Sequence, residues 1–155
     1  MSLVVAVADD GARVPLARRR VTEIARAVLR SEGVGAARLS ITFVNNRRIA
    51  ALNRRHLGHR GSTDVISFCL TPDAAGTPLV GDIYIAPDVA RRNAAAHAVS
   101  VREELTRLVV HGVLHVLGFD HPEGEEDRRA SAMWRRQEAL VASITRRERR
   151  ARSAA

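Results

Sequence analysis

Cysteine is almost missing from this chain: Cys69 is the only one in 155 residues. No internal disulfide can form, so a disulfide scaffold is excluded and a reducing compartment fits. No apolar run approaches the ~20 residues that a membrane helix needs. Met1 to Ala8 carries no basic leader, and Asp9 and Asp10 interrupt the apolar stretch too early for a secretory signal. A cytoplasmic location and no membrane partner are therefore expected. Lysine is absent altogether, and the aromatic residues are few: Phe43, Phe68, Tyr84, Phe119 and Trp134. Platforms for stacking bases are correspondingly scarce.

What is present is an ordinary globular composition, 46% hydrophobic and 27% charged. The length suits one domain, able to bury roughly 68–70% of its unfolded surface. The 25 basic residues, all arginine, outnumber 17 acidic ones, for a net charge of +8. Arginine presents a planar fork that matches phosphate, so a polyanionic partner suits this surface. A GC-rich coding bias is the simpler account of the missing lysine, but the positive balance still needs a partner or a tolerance. Half of that balance sits between Ile144 and Ala155, where five arginines face Glu148.

Leu3 to Ala8 reads as a strand, and Pro15 opens a helical pattern closed by Gly33 and Gly35. Leu39 to Val44 alternates as a second strand. Asn45 caps a helix carrying Ile49 and Leu52. Val65–Leu70 and Val80–Ile85 read as two further strands around a turn with Pro72, Gly76 and Pro78. Pro87 starts a helix through Ala96. Ser100 and Glu103 form a capping box for a helix running to Gly118, apolar almost all round and hence central. A last amphipathic helix is expected over roughly Glu125 to Ala142, with Met133, Trp134, Leu140 and Val141 in the core. These elements predict one α+β domain, residues 1–143, with a small four-stranded mixed sheet packed with about five helices. Residues 144–155 are expected as an Arg-rich, disordered tail.

Chemistry concentrates between Val110 and Pro122, V-H-G-V-L-H-V-L-G-F-D-H-P. His111 and His115 are four apart on a helix, so both rings leave one face and can grip one metal ion. Gly118 ends the helix, and His121 follows closely enough to fold back as a third nitrogen. Three imidazoles leave a fourth position for water, the pattern of a catalytic zinc site. His56, His59 and His97 lack such company and read as surface or helix-end residues. The offsets of the three histidines and the glycine match H-E-x-x-H-x-x-G-x-x-H zinc endopeptidases, but Gly112 stands where those enzymes carry the glutamate base.

His111-Gly112-Val113-Leu114-His115-Val116-Leu117-Gly118-Phe119-Asp120-His121 resembles the signature of the YbeY family of metal-dependent endoribonucleases, H-G-x-L-H-L-x-G-[FY]-D-H. Two weaker blocks agree, Ser62-Thr63-Asp64-Val65-Ile66-Ser67-Phe68 and Gly81-Asp82-Ile83, and the likeness covers roughly Leu3 to Leu140. The resemblance implies a zincin-like fold with a central metal-binding helix and one Zn2+ on His111, His115 and His121. It implies cleavage of single-stranded RNA near the 3′ end of the small-subunit ribosomal RNA, a part in ribosome quality control, and the ribosomal small subunit as partner. Many members carry an arginine where this chain has Leu57, just before Gly58; Arg54, Arg55 and Arg60 are the residues available to hold RNA phosphate instead.

Other polar residues carry two readings each. Asp120 either orients a zinc ligand or stabilises its own turn. Asp64 is an active-site or, more simply, a turn residue. Asp82 marks a ligand-facing edge or bonds a neighbouring loop. Cys69 reads as packing, having no base beside it. The run Glu123, Glu125, Glu126 and Asp127 favours the start of the last helix. Two rival functions remain at this point: a zinc metallopeptidase with another general base, and a ribosome-associated RNA-binding factor of slight activity.

Overall fold

Alternation of buried and open residues along the strands sets the architecture. In a computed structural model, which describes residues 2–57, 63–71, 77–121 and 131–154, β1 (Leu3–Asp10) and β2 (Ala37–Val44) flank α1 (Arg18–Ser31). Then come α2 (Asn46–Leu57), β3 (Val65–Cys69), β4 (Leu79–Ile85), α3 (Pro87–Ala96), α4 (Val101–Val116) and α5 (Ala132–Ala154). The sheet runs β1-β2-β4-β3, with β1, β2 and β4 mutually parallel along that order and β3 antiparallel to β4. Parallel neighbours need crossover connections, which α1 and the α2–β3 segment supply. The expected α+β class, mixed four-stranded sheet and five helices are what the described residues form.

Ala37, Leu39, Ile41 and Phe43 of β2 and Ile83 and Ile85 of β4 turn one face of the sheet toward α4 and α1. Leu105, Val109, Val113 and Leu114 of α4 are completely buried against it, as the apolar sequence of that helix requires. The alternate face carries Ile66, Phe68 and Tyr84, and α2 packs there through Ile49 and Leu52. Asn45 caps α2, its Oδ1 accepting the Arg48 N–H at 2.9 Å. Ser100 caps α4 by accepting the Glu103 N–H at 3.1 Å. Only that half of the capping box forms, because the Glu103 carboxylate reaches forward to Arg107 instead.

Several boundaries move. Helix α1 starts at Arg18 rather than Pro15, with Leu16 buried ahead of it. The disordered tail expected from residue 144 is corrected: α5 continues through Ala154. Ile144 is buried, and Glu148 binds Arg20, Arg102 and Arg152, so the sequence boundary falls inside a packed helix. Ser131 Oγ accepts the Trp134 N–H at the start of this helix, while the start expected at Glu125 and the run Glu123–Asp127 lie outside the described residues. Cys69 is exposed, so packing does not explain it. Among the described residues no helix is long and apolar enough to cross a membrane.

Candidate metal centre

Helix α4 presents His111 and His115 one turn apart, and the chain reverses directly after it. Gly118 adopts φ +98°, its N–H bonds the carbonyl of His115, and the Phe119 N–H bonds that of Leu114, each at 3.0 Å. This pair of bonds is the Schellman arrangement, which needs a left-handed residue at Gly118 and satisfies carbonyls the helix end would otherwise leave open. The reversal brings His121 back over the helix. Ring centroids lie 4.6 Å apart for His111 and His115, 5.1 Å for His111 and His121, and 5.0 Å for His115 and His121. One nitrogen from each ring falls within 4.8 Å of the other two, and the rings are half-buried.

Those donors fit a borderline transition metal such as zinc, which takes neutral imidazole nitrogens. The tautomer of His111 is also arranged for it. Gln137 on α5 places its amide oxygen 2.6 Å from His111 Nδ1. An amide oxygen only accepts, so Nδ1 carries the proton and Nε2 keeps its lone pair for an ion. The amide is held in that orientation because Gln137 Nε2 donates to Glu138 Oε2 at 3.0 Å. Glu138 in turn receives Arg107 Nε and Nη2, each at 2.9 Å. A continuous run of bonds thus leads from the imidazole through α5 back to α4.

Gly112 faces the sheet. A Cβ there would meet Ile83 Cγ2 at 2.7 Å and Ser67 Oγ at 3.3 Å, and Ser67 Oγ already donates to the Gly112 carbonyl at 3.1 Å. No carboxylate side chain can occupy the position where the endopeptidases keep their base, because β3 and β4 fill it.

Glu104 and Glu138 share Arg107 yet shift in opposite directions. Burial pushes the Glu104 carboxyl up, Asp64 and Glu138 adding to the push against the pull of Arg107 and His97. Burial pushes Glu138 up as well, but the hydrogen bonds from Arg107 and Gln137 and the charge of Arg107 outweigh it and hold it down.

The other sequence-selected residues divide. Asp120 Oδ1 accepts the His121 N–H at 2.8 Å, and so fixes the turn that carries the third ring. Asp64 takes the Ala86 N–H on its carbonyl and the Asn93 amide on its Oδ2, and it lines a cavity shared with His111. Asp82 sits in β4 paired with Ser40 and Phe68, and its carboxylate accepts no side-chain hydrogen bond among the described residues. Arg54 and Arg55 stand exposed on the last turn of α2, on the sheet face opposite α4, and so are not brought together with the histidines. Arg60 and His59 lie outside the described residues. His97 caps the end of α3, and His56 is exposed on α2, its ring 5.2 Å from that of Phe68. Trp134, expected in the core, is instead half-buried at the cavity. Gln137 was missed, although a glutamine on the apolar stripe of Met133, Leu140, Val141 and Ile144 is a readable oddity.

Fold and cluster together define a class: a mixed α+β domain whose central helix and following turn offer three imidazoles, the ligand count of catalytic zinc sites. Residues 8–145 match the sequence profile of the family described as Endoribonuclease YbeY. The chain belongs to that family of RNA hydrolases. It is 38% identical over 139 residues to an endoribonuclease YbeY of Bacillus licheniformis, covering 83% of this chain and 88% of the relative. It is 41% identical over 145 residues to one from Anaeromyxobacter dehalogenans, covering 91% and 73%. The solution structure of TM1509 from Thermotoga maritima superposes with a TM-score of 0.61 at 24% identity, covering 98% of this chain and 96% of that one, and so shares the fold.

Proposed function

We propose that this protein is a zinc-dependent endoribonuclease that cuts single-stranded RNA, with His111, His115 and His121 holding one ion. The observation that carries the reading is the convergence of three imidazole nitrogens within 4.8 Å in a chain of this family. A zinc ion bound there supplies Lewis acidity to a phosphodiester and lowers the pKa of water. The chain's own part is preorganisation. Gln137 fixes the His111 tautomer, the turn at Gly118 sets the third ring, and Asp120 holds the backbone of His121. Arginines contact phosphate and neutralise the RNA backbone; Arg54 and Arg55, the choices offered by the resemblance together with Arg60, would do so on the sheet face away from the histidines.

The family supports a place in small-subunit ribosomal RNA 3′-end maturation and ribosome quality control, in the cytoplasm and with the small subunit as partner. With few aromatic residues, recognition rests mainly on phosphate, shape and delivery by that partner. The filled space around Gly112 counts against a peptidase using the endopeptidase base.

The test is digestion of single-stranded RNA and casein side by side, with wild type, chelator-treated protein and His115→Ala. Cleavage of RNA alone, lost in the treated and variant samples, is the expected result. Cleavage of casein would restore the peptidase. RNA binding with undiminished nuclease in a well-folded His115→Ala would leave an RNA-binding factor with a contaminant.

A further inference from the structure

A cavity of about 600 Å³ opens beside the three histidines and shares His111 with them. Helix α4 contributes Glu104 and Arg107 to it, α5 contributes Trp134 and Glu138, and Asp64 closes another side. Its volume lies within the roughly 300–1,000 Å³ range of small-molecule sites.

Glu104 is the feature that asks for a ligand. It is only 5% exposed, and among the described residues its carboxylate accepts no hydrogen bond; the nearest cation, Arg107 Nη1, is 3.7 Å away. A buried carboxylate whose cation stands beyond hydrogen-bond distance and is shared with Glu138 is incompletely compensated, so a donor from outside the chain is the natural complement. A metal ion does not fit that role. Among the described residues only the three histidines bring ligand atoms within reach of one ion, and the carboxylates do not converge. Nor does phosphate, since among the described residues three carboxylates, Asp64, Glu104 and Glu138, line the cavity, and Arg107 there already gives two bonds to Glu138. What fits is an uncharged, flat group carrying N–H donors, next to an indole on which it can stack.

We propose that this cavity takes a nucleobase of the RNA beside the cleaved linkage and selects guanine, Glu104 accepting from N1–H and the N2 amino group. Guanine alone offers two adjacent donors on that edge, matching the two oxygens of a carboxylate, which can only accept. Adenine and cytosine set one amino group beside a ring acceptor, and uracil sets one N–H between two carbonyls. The inference rests on the ribonuclease reading for its substrate, and it adds a base preference that phosphate contacts cannot supply.

Trp134 is the only tryptophan in the chain, so its fluorescence reports directly on the cavity. The metal-loaded protein is titrated with GMP, AMP, CMP and UMP, which share one phosphate and differ in the base. The account expects a saturable change with GMP at concentrations about 10–100-fold below the other three, the discrimination of one bidentate pair. Glu104→Gln, checked for folding by circular dichroism, should bring the four nucleotides to within a few-fold of one another. Wild type is also given RNA oligonucleotides that differ only in the bases flanking the cut, where guanine should be preferred. Equal responses to all four nucleotides, or none, overturn the guanine site; RNA cleavage without base preference then leaves the ribonuclease reading standing. Selective GMP binding with no RNA cleavage upholds the cavity and overturns the ribonuclease reading.

Discussion

The histidines at the C-terminal end of α4 come from eleven consecutive residues, whereas the cavity beside them draws Asp64, Glu104, Trp134 and Glu138 from two helices and the approach to a strand. The first cluster is assembled by local rules: helical spacing, a left-handed glycine and a short return. The second exists only because α5 crosses α4 and the segment before β3 reaches the same side. Local assembly makes a site rigid and readable. Assembly across elements makes a cavity whose polar groups depend on one another through Arg107, Glu138 and Gln137. The two meet at His111, which belongs to both.

The sharpest way to break this comparison is to give the local cluster what the endopeptidases have. Gly112→Glu should not create a peptidase; it should unfold much of the protein, because a charged side chain would enter space held by Ile83 and Ser67. Burying an unpaired carboxylate and overpacking together cost several kcal/mol, about 3 or more. Denaturant unfolding measures it, and a stable, casein-cleaving variant would break the account of Gly112.

Gln137 joins the two clusters and comes next in size. Gln137→Leu should weaken metal affinity about 10–100-fold, the usual effect of removing the group that orients a histidine ligand. Gln137→Glu keeps an acceptor on Nδ1 and should retain tight binding. Competition with a chelating dye reads both, and equal affinity in all three proteins would detach α5 from the metal site.

The two carboxylates around Arg107 should then respond oppositely to pH. Glu138 is lowered in the fold, so its contribution is present above the ordinary glutamate pKa and is lost as pH falls through the lowered value. Glu104 is raised, so its contribution is complete below the ordinary pKa and is lost as pH rises through the raised value. Glu138→Gln should therefore cost about 1–3 kcal/mol at neutral pH, where it strips charge-assisted bonds from Arg107. Glu104→Gln should flatten the decline of stability on the way from acid to neutral pH. Melting curves from pH 4 to 8 check both, and parallel curves for the two variants would contradict the assignment.

The smallest effect belongs to the end of α5. Deleting residues 149–155 removes Arg149, Arg150 and Arg152 but spares buried Ile144, so stability should change by no more than about 1 kcal/mol, the scale of exposed ion pairs. A larger loss by thermal melting would mean that the final turns pack more tightly than their exposure indicates.

Most of the fold was legible because β-branched alternation and helix caps are local. Pro87 and Ala96 bound α3 in sequence and structure alike, and Asn45 and Ser100 cap the helices they were expected to cap. The end of α5 was misread because a run of arginines looks like a solvated tail, and only the tertiary partners Arg20 and Arg102 show why Glu148 and Ile144 hold the helix in place. The convergence of His111, His115 and His121 was legible for the same local reason as α4 itself. The cavity was not: Glu104 reads as a first-turn acid, and Trp134 and Gln137 read as one helix face, until α4 and α5 cross. Arg54 and Arg55 were chosen by nearness in sequence to the family's arginine position, but α2 lies across the sheet from α4.

The most direct test of the central claim is the metal content of the purified protein beside that of a His111→Ala/His115→Ala double variant. The account predicts about one zinc ion per chain in the wild type and none above background in the variant. Equal metal in the two proteins, or none in either after growth and purification with zinc, would contradict it.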